Sequence, residues 1–327
     1  MRLIDMHCDT IWMLMREEGA NLRNNCFCVD IEKLKSVGSM AQFFACFIYL
    51  NEIASEERWE IGYQLALDMI KRGKAEFAAC SDKISLASNY DDVIKNYAGG
   101  KMSAILTIEE GGILNNNMNR LCELYKQGVR LMTLTWNHEN CIGYPNSKDE
   151  LIMQKGLKPF GIEVIEKMNE LGMIIDVSHL SDGGFWDVME LSKKPIVASH
   201  SCARALTPHP RNLTDEMIKA MASKGGVCGI NFCPVFIAPD LSANNGWIED
   251  GKLEDIVRHI MHLYNMGGSD FVAIGTDFDG IGGKLDIAGP QDMDKLFDAL
   301  LKKGMNAEDV EKIAYKNAER LIKETLK

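Results

Sequence analysis

A chain of 327 residues, 46% hydrophobic and 25% charged, is long enough to bury one large core and has the composition of a globular protein in water. Its 47 acidic side chains outnumber 36 basic ones, for a formal net charge of -11. That excludes the concentrated basic face with which a nucleic-acid binder displaces counterions. Acids and His7 interrupt the amino-terminal stretch that a secretory peptide would keep apolar, and no apolar run approaches a membrane span. A cytoplasmic protein with no membrane partner is expected. The ten cysteines are scattered through apolar segments such as residues 44–47, as reduced core residues are. Cys26 and Cys28 form a close pair but lack a second pair to complete a structural zinc site.

In chain order, short apolar β-rich runs at 3–8, 41–49, 103–108, 130–135, 172–177, 195–199, 226–231 and 271–276 predict eight strands. Between them, residues 59–71, 160–171, 215–223 and 253–264 carry apolar side chains at three- and four-residue intervals and predict helices. Alternating β and α units feed a parallel sheet, and eight of them suggest a closed (β/α)₈ (TIM) barrel, with an open doubly wound sheet as the alternative. Residues 307–326 predict a final amphipathic helix packed on the outside of the barrel. No linker or repeat interrupts the chain, so one domain over 1–327 is expected.

Histidines and acids fall at the carboxyl ends of these runs, where a (β/α)₈ barrel builds its active site. His7 and Asp9 are two apart on an extended segment, project to one side and can grip one cation. Alone, such a pair is as readily a hydrogen-bonded histidine and a turn cap. Glu110 follows the third run and precedes Gly111 and Gly112, where its carboxylate could bridge two metals; strand alternation then turns Glu109 to the opposite face, in a supporting role. His179 and His200 end two consecutive runs. Together these residues supply the nitrogen and carboxylate ligands of a dinuclear zinc centre. His259 and His262 share a helix face and are expected on the surface, and His209 lies between two prolines.

The last run ends in Gly275-Thr276-Asp277-Phe278-Asp279-Gly280. Asp277 is placed to take a proton from a metal-bridging water and return it to a leaving amine, while Asp279 serves the turn or the chemistry equally well. Arg211, in the loop after the sixth run, can hold a substrate carboxylate bidentately.

As an ordered set, His7-Cys8-Asp9, Glu110-Gly111-Gly112, Asp176-Val177-Ser178-His179, Ser199-His200-Ser201, Arg211-Asn212 and Gly275–Gly280 resemble the membrane dipeptidase (renal dipeptidase) family along nearly the whole chain. The resemblance implies a zinc-dependent dipeptidase on a (β/α)₈ barrel of the amidohydrolase type. It implies two zinc ions per chain: His7 and Asp9 on one, His179 and His200 on the other, Glu110 across both. Asp277 is then the acid/base residue and Arg211 the anchor for the carboxylate of a dipeptide. The animal enzymes carry a substrate-contacting histidine where this chain has Trp136, which leaves His138, two positions on, as the candidate contact. Their secretory peptide and lipid-anchor signal are also missing, so a soluble, bacterial-type member is expected, with a homodimer left open. The rival readings are an amidohydrolase for a cyclic amide or related small molecule, and a non-catalytic binding barrel.

Overall fold

The computed structural model describes residues 1–238 and 250–327. Eight parallel strands close into a barrel: β1 (Leu3–Asp5), β2 (Ser39–Phe47), β4 (Met102–Glu109), β5 (Val129–Thr133), β6 (Ile174–Asp176), β7 (Val197–Ser201), β8 (Val227–Ile230) and β10 (Val272–Ile274). Each of the eight predicted runs supplies one of these strands. β2 and β4 are buried along almost their whole length, as strands covered on both faces must be. They pair from Ala41↔Ser103 to Phe47↔Glu109, and β10 returns to β1 through Asp5↔Ile274 to close the ring.

Three short strands escape the sequence reading. β3 (Ile84–Leu86) pairs with the first half of β4, below the point where β5 begins at Leu106↔Val129, and so fills the foot of the barrel. β9 (Asp250–Gly251) and β11 (Lys284–Leu285) form a separate parallel pair.

Helix limits follow local chemistry. Pro159 opens helix Pro159–Leu171, and Gly172, at φ 74°, ends it in the left-handed conformation. The side chain of Thr214 caps helix Asp215–Ser223 by accepting from the Met217 N–H, with Asp215 and Glu216 in the first turn. In helix Leu253–Gly267 the buried stripe is Ile256, His259, Ile260 and Leu263. His259 is therefore a core residue, contrary to the surface position expected for it: its Nδ1 accepts from the Ala203 N–H at 3.1 Å, and Nε2 meets Thr207 Oγ1 at 3.2 Å. Only His262 faces outward, against Asp215 at 2.7 Å. The tail runs through Ala307–Glu311, a π-helical turn at Lys312–Lys316 and Asn317–Thr325, packed against β1 and β10. Among the described residues no helix is long and apolar enough to cross a membrane.

The register of β7 against β8 shifts between Ala198 and Ser201, a bulge of the kind that re-aims side chains beside active sites. It drives the Ser199 carbonyl against Gly229 of β8 and Gly275 at the end of β10, where a Cβ on either glycine would collide with that oxygen. Gly275→Ala is therefore expected to destabilise the fold by at least about 1–3 kcal/mol, read as a lower urea midpoint at unchanged slope.

Candidate active site

The carboxyl ends of the strands bring six side chains together at one mouth of the barrel. β1 runs into His7 and Asp9, β4 ends on Glu109, β6 leads to His179, β7 carries His200, and Asp277 follows β10. None is more than 9% exposed. The two oxygens of Glu109 divide the cluster. Oε2 lies 3.3 Å from His7 Nε2, which is itself 3.3 Å from Asp9 Oδ2 and 3.8 Å from Asp277 Oδ1. Oε1 lies 3.1 Å from His179 Nε2 and 3.6 Å from His200 Nε2, with 3.2 Å between those two nitrogens. Three overlapping groups result, each compact enough for one cation: His7 with Asp9 and Glu109, Glu109 with His179 and His200, and His7 with His200 and Asp277.

The structure thus reverses the expected places of the two neighbouring glutamates. Strand β4 continues through Glu109, and the backbone leaves the strand at Glu110, whose φ is 99°. Glu110 curls away from the cluster. Its Oε1 accepts from Gly112 N–H and Asn140 Nδ2, both at 2.7 Å, and Oε2 from Trp136 N–H at 3.2 Å. A side chain on Gly112 would occupy the space that this carboxylate takes. Burial pushes the Glu110 carboxyl up to about 7. Alternation of the two acids was legible in the sequence, but the choice between them depended on the last residue of the strand.

Two hidden aspartates set up the cluster. Asp176 accepts from Thr133 Oγ1 and Ser199 Oγ, each at 2.6 Å, and from the N–H groups of Ser178 and Ser199. Because the Ser199 hydroxyl proton is committed to Asp176, its oxygen accepts from His200 Nδ1 at 2.8 Å, which leaves the Nε2 lone pair of His200 facing Glu109. Asn137 Oδ1 fixes His179 the same way, 2.9 Å from Nδ1. Asp5 mirrors Asp176 across the barrel, accepting from the N–H and hydroxyl of Thr276 and from the His7 N–H. Burial lowers both His179, to about 4, and His200, so the two imidazoles are neutral. Burial also lifts Asp9 to about 8, against the pull of His7. Glu109 goes the other way: burial opposes ionisation, yet the charge on His7 beside it holds its carboxyl well below the usual range.

A metal fits this donor set. Buried polar atoms are normally paired, yet His7 Nδ1 and Nε2 and Asp9 Oδ1 have no hydrogen-bond partner. Three imidazoles and three carboxylates are the ligand types that suit zinc. The backbone is strained here as well: Glu110, His179, Asp277 and Asp279 all have positive φ, at 99°, 69°, 65° and 70°.

The remaining candidates separate by position. Asp277 borders the cleft; its Oδ2 accepts from Asn231 Nδ2 at 2.9 Å, and burial lifts its carboxyl to about 6. Asp279 shapes the turn, accepting from the Cys28 N–H and Thr10 Oγ1, both at 2.6 Å. Arg211 is only 4% exposed, and all three of its guanidinium nitrogens lack a partner. It lies in a small cavity beyond His179, which also borders a cleft of about 270 Å³ at the mouth of the barrel. Trp136 and Asn137 line that cleft, while His138 packs edge-on against Trp136 at 5.6 Å and is not among the lining residues. Asn137 and Asn231 were not singled out by sequence, and Glu109 was given only a supporting role, since only the closed barrel shows what they face.

The family model for membrane dipeptidase (peptidase family M19) matches residues 1–327. The chain is 32% identical to dipeptidase tcpJ of Claviceps purpurea over 75% of its own length and 56% of that protein's, so it spans little more than half of that relative. It is 33% identical to an uncharacterised protein in the pqqA 5' region of Klebsiella pneumoniae, over 76% of its own length and 92% of the relative's. A crystal structure of dipeptidase AC, a metallo peptidase, superposes with a TM-score of 0.89 at 25% identity, covering 100% of this chain and 99% of that one. With the full-length match and the strand-end cluster in agreement, this chain belongs to the membrane dipeptidase family, peptidase family M19.

Proposed function

We propose that this protein is a dipeptidase that works with two divalent cations, zinc for preference, held by His7, Asp9, Glu109, His179 and His200. The observation that carries the reading is Arg211. A buried guanidinium with no partner is costly, and a carboxylate entering beside His179 removes that cost through bidentate hydrogen bonds. A dipeptide offers its terminal carboxylate one residue from the scissile bond, and Arg211 shares a small cavity with His179, which in turn lies beside Glu109.

Divalent cations held by His7, Asp9, Glu109, His179 and His200 would polarise the scissile carbonyl and lower the pKa of a bound water toward neutrality. The protein's own groups supply the rest. Arg211 fixes the carboxylate, which converts a diffusional encounter into a positioned one. Asn231 holds one oxygen of Asp277 and leaves the other beside His7. With its carboxyl lifted to about 6, Asp277 can take a proton from the attacking water and return it to the departing amine near neutral pH. Glu110 keeps the 134–140 loop in place through Trp136 and Asn140.

The two glutamates are separated by metal content. After zinc loading and dialysis, Glu109→Gln is expected to retain no more than one equivalent by elemental analysis, whereas Glu110→Gln retains two; the opposite pattern would return the bridging role to Glu110. Asp277→Asn is expected to keep its metal and lose on the order of 10²–10⁴ in kcat, and near-normal turnover would assign the proton transfer elsewhere. The parent enzyme should cleave dipeptides far better than their carboxyl-terminal amides, and Arg211→Met should reduce kcat/KM for the free dipeptides by roughly two orders of magnitude while erasing most of that preference. Equal cleavage of acids and amides by the parent would favour an amidohydrolase of another substrate class.

A further inference from the structure

The cleft is apolar on one side to a degree that carboxylate anchoring and cation binding do not require. Next to Asp9 and Glu109, the rings of Trp12, Phe47 and Trp136 adjoin one another and line the cavity. The centroids of Trp12 and Phe47 are 5.9 Å apart, and those of Phe47 and Trp136 are 5.1 Å apart. Tyr49 extends the cluster behind them, 5.0 Å from Trp136. Phe43 and Phe44, on the same strand as Phe47, are fully buried, whereas Trp12, Phe47 and Trp136 each keep part of their ring surface open. Aromatic rings normally bury that surface in the core, so here the sequence leaves a wall uncovered where it faces the cleft.

The wall is held from behind. Trp136 N–H donates to the Glu110 carboxylate at 3.2 Å, and the Arg16 guanidinium lies 4.6 Å from the centre of the Trp12 ring while bonding Glu52 at 2.9 Å. Ring surface fixed in advance loses little freedom when a ligand covers it. At the other end of the site Arg211 lies beyond His179, with Phe236 5.7 Å from its guanidinium.

These two ends give the substrate a direction, an argument that depends on the dipeptidase reading above. With the carboxylate on Arg211 and the scissile carbonyl over Glu109, the carboxyl-terminal residue lies between them, and the amino-terminal residue continues toward Asp9, Trp12 and Phe47. We infer that the Trp12–Phe47–Trp136 wall is a subsite for a bulky apolar side chain on the amino-terminal residue of the dipeptide, with Phe47 and Trp136 as its specificity-determining residues.

The test compares kcat/KM of the zinc-loaded enzyme for Ala-Ala, Leu-Ala, Phe-Ala, Ala-Leu and Ala-Phe. Burying one apolar side chain in a pocket is expected to favour Leu-Ala and Phe-Ala over Ala-Ala by roughly ten- to a hundredfold, mostly through KM, with a smaller effect for Ala-Leu and Ala-Phe. Phe47→Ala and Trp136→Ala should each collapse the Phe-Ala to Ala-Ala ratio toward unity, while the Ala-Phe to Ala-Ala ratio stays within about twofold. If Phe47→Ala does not fold by circular dichroism, Phe47→Leu keeps the apolar bulk and should still lower the ratio. Equal cleavage of Phe-Ala and Ala-Ala by the parent, or a ratio untouched by both substitutions, overturns the inference while leaving the dipeptidase reading intact. Failure to cleave any dipeptide overturns the dipeptidase reading instead, and the inference falls with it.

Discussion

The Glu109 carboxylate is the point on which the mouth of the barrel converges. One of its oxygens faces His7, and through it Asp9; the other faces His179 and His200. These groups arrive from strands far apart in sequence, and a cluster of buried acids and imidazoles repels itself unless charge is shared or a cation is present. The surrounding architecture keeps that cluster from relaxing. β4 must extend through Glu109, the chain must leave the strand sharply at Glu110, and three further backbone turns with positive φ set His179, Asp277 and Asp279.

Behind the cluster, Asp5 and Asp176 play matched parts on opposite sides of the barrel. Each spreads its two oxygens over backbone N–H groups and a threonine or serine hydroxyl at neighbouring strand ends. Asp5 has three such donors and Asp176 four, and a carboxylate so committed does not compete for a cation. Asp176 also fixes which nitrogen of His200 carries the proton, through Ser199. The bulge in β7 that places Ser199 and His200 is accommodated by the bare backbones of Gly229 and Gly275. The geometry of the site therefore extends a full layer below the residues that face the cleft.

Much of this was legible in the sequence because the barrel strands are near-continuous apolar runs, and because strand-end histidines and acids are unusual neighbours for such runs. His7, Asp9, His179, His200 and Asp277 come together as their positions implied. Glu109 and Glu110 were exchanged because the local sequence shows alternation but not phase: whether a strand stops at residue 109 or 110 is decided by pairing of Phe47 with Glu109 and of Glu109 with Thr133. His259 was misplaced because its partners, Ala203 and Thr207, come from a distant loop. β3, β9 and β11 are too short for any periodicity to register.

The seam between β1 and β10 has a consequence for how the chain acquires its structure. Asp5↔Ile274 is the one register pair within the two strands, and the seam continues past them through Cys8↔Phe278 and the bonds from Met6 N–H to the Ile274 carbonyl, from Asp277 N–H to the His7 carbonyl and from Asp9 N–H to the Phe278 carbonyl. The tail covers the joint: Asn317, almost fully buried, donates to the carbonyls of Ser269 and Val272 at 2.8 and 2.7 Å, and the π-helical turn before it packs on β1 and β10. Contacts of such long sequence separation form late, because the intervening chain must first be ordered. During synthesis the first strand waits with one edge unpaired until β10 and the turn after it, residues 272–278, have left the ribosome. For most of its time in assembly the nascent protein is an open, adhesive sheet, the kind of species that chaperones meet.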